Sequence, residues 1–231
     1  MYFYEVINLV NLKKFVVVCG HYGCGKTNFS INLANYLINK GNQVTLIDFD
    51  IINPYFRSSA YIDLLKEKGI KLISPIYANS NLDLPAVLPE IYSVFLNKNE
   101  YAIFDVGGDA AGTMLLSRFS QEIINTNSYD MLYIINKYRK ETSNSESAVK
   151  ILKEIESASK LNATAIVNNS NLQSSTTSKD IMESEIYANE ISKQTNLSVI
   201  MTTALDNISA ELKSKAKNIF EIYMYVKPPW F

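Results

Sequence analysis

Along most of the chain, short apolar runs alternate with longer stretches whose apolar residues recur at helical spacing. The runs Phe15–Cys19, Val44–Asp48, Lys71–Ser74, Tyr101–Val106, Met131–Asn136, Ala163–Asn168 and Ser198–Thr203 are rich in β-branched and aromatic residues. Apolar at successive positions rather than at every second one, they read as strands buried on both faces. Between most of them, Asn28–Ile38, Ser58–Lys66, Pro85–Leu96, Ala148–Ser159, Ile181–Ser192 and Ile208–Ile222 show the three-to-four-residue spacing of amphipathic helices. Strand and helix in alternation predict an α/β fold: a three-layer, mainly parallel sheet with helices on both faces.

Few breaks interrupt this pattern. Asn168–Lys179, rich in Asn, Ser and Thr, reads as a loop within the domain because no Gly or Pro cluster marks a linker. Residues 1–12 are expected to form an N-terminal arm or edge strand. Residues 223–231 form an aromatic C-terminal tail, with Pro228 and Pro229 ending the last helix. One domain over 1–231 is the expectation, since 231 residues at 47% hydrophobic and 19% charged supply a full core.

Charge and cysteine content narrow the function classes. With 22 basic and 23 acidic residues the net charge is -1, so no overall field draws nucleic acid or an anionic membrane. Lys213, Lys215 and Lys217 spread around a helix instead of forming a stripe, and DNA binding is not expected. No apolar run approaches the roughly 20 residues of a membrane span, and the start has no secretory signal pattern. A cytoplasmic protein without stable membrane association is the expectation. Cys19 and Cys24 are the two cysteines, and their placement excludes a disulfide framework and a paired-cysteine zinc site.

The chemistry concentrates where the first predicted strand meets the first helix. Gly20-His21-Tyr22-Gly23-Cys24-Gly25-Lys26-Thr27 fits G-x-x-x-x-G-K-[ST] in the strand-to-helix setting that the phosphate-binding loop requires. Glycines let successive backbone N–H groups turn inward toward phosphate oxygens, and the following helix adds the positive end of its dipole. Lys26 is expected to reach the β- and γ-phosphates and Thr27 to ligate Mg²⁺; Asn28 follows as a further cofactor contact. Two strand ends supply carboxylates beside this loop. Asp48 and Asp50 close the second strand, and Asp105, followed by Val106-Gly107-Gly108, forms a Walker B arrangement. Asp48 and Asp105 are the candidate metal ligands with Thr27. For each aspartate the competing role is a turn or helix cap.

Together Gly20–Thr27, Ile47–Ser58 and Phe104–Asp109 resemble the MinD/ParA branch of P-loop ATPases, which includes the nitrogenase iron protein, metal-cluster carriers and the cobyrinic-acid amidase nucleotide-binding domain. The chain is most similar to small bacterial MinD-like ATP-binding proteins. The resemblance implies that Asp48–Asp50 is a first switch, with Asp50 as catalytic carboxylate alongside Lys26. It implies that Asp105–Gly108 is a second switch, and that Asn168 contacts the base. It also implies ATP with Mg²⁺ as cofactors and an ATP-bound homodimer. Guanine-specific P-loop proteins display Asn-Lys-x-Asp, whereas Asn136-Lys137-Tyr138-Arg139 lacks the aspartate, so ATP is favoured over GTP.

Departures from the pattern matter as much. Sandwich dimers of this branch carry a second lysine after the first loop glycine, and here His21 occupies that position. His21 or Arg57 is a substitute cation, or His21 is only a tolerated loop residue. Cysteines remote from the loop are missing, so no iron–sulfur cluster is expected. Cys24, at a helix N-terminus, is a candidate redox switch. The resulting functional expectation is a slow Mg-dependent ATPase that acts as a nucleotide-dependent switch for a protein partner. The alternatives are a stand-alone ATP-dependent synthetase of ligase or amidotransferase type, and a nucleotide-binding scaffold with little hydrolysis.

Overall fold

A computed structural model describes residues 11–50, 59–74, 84–97, 99–214 and 218–225. Within them lie β1 (Phe15–Cys19), α1 (Lys26–Asn39), β2 (Val44–Phe49), α2 (Ser59–Glu67), β3 (Lys71–Ile73), α3 (Leu84–Val94), β4 (Tyr101–Val106) and α4 (Ala110–Ser117). There follow α5 (Ser120–Asn125), β5 (Tyr129–Ile135), α6 (Ser145–Ser159), β6 (Ala165–Asn168), α7 (Ser178–Thr195), β7 (Ser198–Leu205), α8 (Asp206–Lys213) and β8 (Ile219–Ile222). The strands form one sheet in the order β3-β2-β4-β1-β5-β6-β7-β8, and every neighbouring pair is parallel.

Strand chemistry explains the layers. Val16 and Val18 of β1 belong to a core shared with Phe29, Leu33 and Leu37 of α1, while Val17 and Cys19 face a second core built with Leu116, Phe119, Leu152 and Tyr187. Successive side chains of a strand point to opposite faces, so a strand apolar at every position must be covered twice. This is the three-layer α/β fold expected from the sequence.

The order also sets the site. From β1 the chain moves outward to β2 and β3, returns to β4, and then crosses to β5 on the other flank of β1. The C-terminal ends of β1, β2 and β4 therefore converge beside the reversal point, where open parallel sheets bind their ligands.

Two parts of the sequence reading change. The helix expected over Ile208–Ile222 ends at Lys213, and Ile219–Ile222 forms β8 instead. Asn218 takes a left-handed φ of 61°, which breaks helical continuity, and Ile219, Phe220 and Ile222 then bury against β7. The last helix thus stops well before Pro228. Residues 1–10, Arg57, Lys215, Lys217 and 226–231 lie outside the described residues. Helices α4 and α5 carry too little periodic length to stand out in sequence. Among the described residues no helix is long and apolar enough to cross a membrane.

Candidate nucleotide-binding site

The loop from Gly20 to Thr27 joins β1 to α1 as anticipated, and its glycines hold conformations closed to other residues. Gly20, Gly23 and Gly25 have φ of 147°, 73° and 89°. A Cβ on Gly20 would lie 2.4 Å from the Ile134 carbonyl oxygen, so the loop begins flat against β5. Cys24 turns inward and joins the α1-side core. Burial pushes its thiol pKa up despite the neighbouring Lys26 and a backbone hydrogen bond, which corrects the thiolate expected at a helix N-terminus. Lys26 is buried, and its Nζ donates to the His21 carbonyl at 3.1 Å, which holds the ammonium across the loop. His21 is partly exposed with Nδ1 3.0 Å from the Tyr22 carbonyl oxygen, and Tyr22 itself is exposed.

Of the two aspartates expected to ligate metal, Asp105 bonds the loop directly and Asp48 lies beside it on the neighbouring strand. Asp48 and Asp105 are direct partners in the β2–β4 register and both are buried. Thr27 Oγ1 donates to Asp105 Oδ2 at 2.7 Å, and Ser30 Oγ donates to Asp105 Oδ1 at 3.2 Å. Asp48 accepts from the Asp50 backbone N–H at 2.8 Å and from Ser74 Oγ at 3.2 Å. Burial, joined by repulsion from Asp105, raises the Asp48 pKa to about 8. Burial likewise raises Asp105 to about 6, against the Thr27 hydrogen bond and the Lys26 charge. Asp50 is buried at the end of β2.

A divalent cation stabilises the ionised form of such carboxylates and displaces their protons. Because both pKa values are raised, protons compete with the metal below them. Mg²⁺-dependent nucleotide affinity is therefore expected to strengthen as pH rises from about 6 to about 8; titrations at fixed Mg²⁺ across that interval check this, and a flat profile would contradict it. Among the described residues no group of three or more His, Cys, Asp or Glu side chains is placed to hold a metal by itself.

Backbone contact couples the second switch-like segment to the loop. A Cβ on Gly108 would sit 2.4 Å from the Tyr22 nitrogen, and Gly107 N donates to the Phe49 carbonyl at 3.4 Å. Asp109 then caps α4, its Oδ1 accepting from Gly112 N at 2.9 Å. Gly107 and Gly108 thus lie between the phosphate loop, the end of β2 and a helix start.

Two further predicted residues are engaged in contacts within the protein. Asn168 is fully buried, with Nδ2 donating to Ser184 Oγ at 2.8 Å and Oδ1 accepting from Ser170 N at 3.3 Å, so both ends of the amide are used inside the protein. Asn28 Oδ1 accepts from Tyr225 N at 2.9 Å, tying the first turn of α1 to the C-terminal segment. Asn32 makes a paired contact one turn on, accepting from Tyr223 N at 2.8 Å and donating to its carbonyl at 2.9 Å.

Sequence reasoning passed over Asn169, which braces the loop. Its Nδ2 donates to the Cys24 carbonyl at 2.7 Å, and its Oδ1 accepts from Thr203 Oγ1 at 2.5 Å. The Asn-rich stretch was its only signal, because the partners lie on β1's loop and on β7. Asn169→Ala leaves a buried carbonyl and hydroxyl unmet, and a loss of about 1–3 kcal/mol in unfolding free energy is expected from denaturant titration; an unchanged midpoint would contradict the bracing role.

Strand order, loop and paired carboxylates define a P-loop NTPase of the MinD/ParA type. Residues 15–199 match the family described as the CobQ/CobB/MinD/ParA nucleotide binding domain, and the chain belongs to that family. No curated protein matches the sequence. Among solved structures, the Signal Recognition Particle 54 kDa protein of Aeropyrum pernix K1 in complex with GDP aligns with TM-score 0.57 at 14% identity, over 85% of this chain and 42% of that one. The FtsY cell division protein of Thermotoga maritima aligns with TM-score 0.55 at 20% identity, over 86% and 64%. A nucleotide-binding protein of Archaeoglobus fulgidus in complex with ADP aligns with TM-score 0.51 at 14% identity, over 83% and 81%. The chain thus spans less than two thirds of the length of the first two, and at these identities the likeness is one of fold.

Proposed function

We propose that the chain is a Mg²⁺-dependent ATP-binding protein and slow ATPase whose two switch segments report the nucleotide state to a protein partner. The observation that supports this most is the backbone-to-backbone packing of Gly108 on Tyr22. A γ-phosphate entering the loop must reposition one side of that contact, and hydrolysis must release it, which is the order of events in γ-phosphate switches. Lys26 would turn from the His21 carbonyl to the phosphates, and Thr27, Asp48 and Asp105 would hold Mg²⁺, which would supply neutralisation of the phosphate charge. Asp50, beside Gly107, orients the attacking water.

Base choice rests on side chains, since one structural neighbour holds GDP and another ADP. The loop after β5 offers Asn136-Lys137-Tyr138-Arg139, without the carboxylate that would accept from guanine. ATP is the nucleotide this favours. ATP-driven homodimerisation and the identity of the partner belong to the same proposal.

Phosphate release from the purified chain, with and without Asp50→Ala, tests the catalytic part. The variant is expected to bind ATP as the wild type does and to lose at least about tenfold in release rate. Equal rates in both would remove Asp50 from the chemistry.

A further inference from the structure

A further cation lies beside the phosphate loop. Arg139, in the loop after β5, lays its side chain on the phosphate loop: a Cβ on Gly23 would lie 3.7 Å from both Cζ and Nε of Arg139 and 4.0 Å from its Cδ. The Nε atom is buried and has no hydrogen-bond partner among the described residues. Ion pairs among those residues join Lys179 to Glu183 and Lys213 to Glu221, so neither involves Arg139. The carboxylates of Asp105 and Asp48 accept from Thr27, Ser30, Ser74 and the Asp50 backbone.

The backbone that carries this guanidinium is held firmly. Arg139 N donates to the Asn136 carbonyl at 3.3 Å, and Thr142 N donates back to the Arg139 carbonyl at 3.0 Å. Thr142 Oγ1 bonds the Asn136 carbonyl at 3.0 Å, and Tyr187 Oη bonds the Thr142 carbonyl at 2.6 Å. Asn136 in turn accepts from Asn171 N at 3.3 Å, linking this loop to the one that braces Cys24. A buried guanidinium nitrogen without an acceptor is costly to keep unless a ligand completes it. The anion nearest to a group lying on the loop is the one the loop is built to bind.

We infer that Arg139 contacts the phosphate chain of the bound nucleotide from within the same subunit, supplying the second cation that the His21 position lacks. This rests on the P-loop reading of Gly20–Thr27. A guanidinium gives planar, charge-assisted hydrogen bonds to phosphate oxygens. Held against Gly23, it delivers them without a partner subunit. Gly23 itself takes a left-handed φ of 73°, and its open Cα face leaves the guanidinium within van der Waals reach of the loop.

Binding of ATP and ADP is measured by calorimetry in the presence of Mg²⁺ for the wild type, Arg139→Met, Arg139→Lys and Lys26→Ala, with apo thermal unfolding of each. Arg139→Met keeps the apolar stem and removes the charge, so a packing role leaves affinity intact. The expected result is a loss of about tenfold or more for both nucleotides in Arg139→Met and partial recovery in Arg139→Lys, with apo unfolding unchanged in both. Salt should also weaken the wild type more steeply than Arg139→Met. Wild-type affinity in Arg139→Met, with binding lost in Lys26→Ala, overturns the Arg139 inference alone. Wild-type affinity in Lys26→Ala overturns the site reading and the inference with it.

Discussion

Lys26→Ala is expected to weaken binding of ATP and ADP by on the order of a hundredfold or more while leaving the fold intact. The ammonium is buried in the curve of the loop and donates to the His21 carbonyl at 3.1 Å. Losing that bond costs the apo protein little, because the carbonyl also accepts from Cys24 N at 3.3 Å. Losing a buried cation that meets the phosphates as proposed would remove charge-assisted contacts of roughly 1.5–3 kcal/mol each. Calorimetry beside circular dichroism separates these effects. A folded variant with wild-type affinity would mean that the loop is not the binding site.

Gly108→Ala carries the second large effect, and for a steric reason. Its Cβ would lie 2.4 Å from the Tyr22 nitrogen, 2.6 Å from the Tyr22 Cα and 2.8 Å from the His21 carbonyl carbon. All three are backbone atoms, so no rotamer change relieves the clash. Either the phosphate loop or the segment after β4 must move, at a cost of roughly 1–3 kcal/mol. Both outcomes disturb the site, and nucleotide affinity should fall together with the unfolding midpoint. A variant as stable as the wild type would show that the two segments are not in contact.

Much of this site was legible in sequence because its signals are local. The loop lies within eight consecutive residues between a strand and a helix, and each carboxylate ends an apolar run. That Asp48 and Asp105 stand side by side was not legible, since it requires β2 to pair with β4 across three intervening elements. Asn169 and Arg139 were hidden for the same reason: each acts on the loop from a distant strand end, 145 residues away in the case of Asn169 and Cys24. β8 was misread as helix because Ile208–Ile222 keeps helical apolar spacing. What decides it is the open edge of β7, which takes Ile219–Ile222 as its parallel neighbour. Tertiary context there outweighs local pattern.

His21 ties these points together. The trans-acting lysine of sandwich dimers has no counterpart at this position, and the imidazole faces its neighbour's carbonyl. With Arg139 lying on the same loop, the phosphate charge can be met within one subunit.

Titration of ADP and ATP into the wild-type chain, with Mg²⁺ and then with Mg²⁺ removed by chelation, tests the central claim most directly. Saturable binding at one site per chain is predicted, with ATP weakened more than ADP on chelation because Mg²⁺ would neutralise the additional charge of the γ-phosphate. Absence of saturable binding for either nucleotide with Mg²⁺ present would contradict the account.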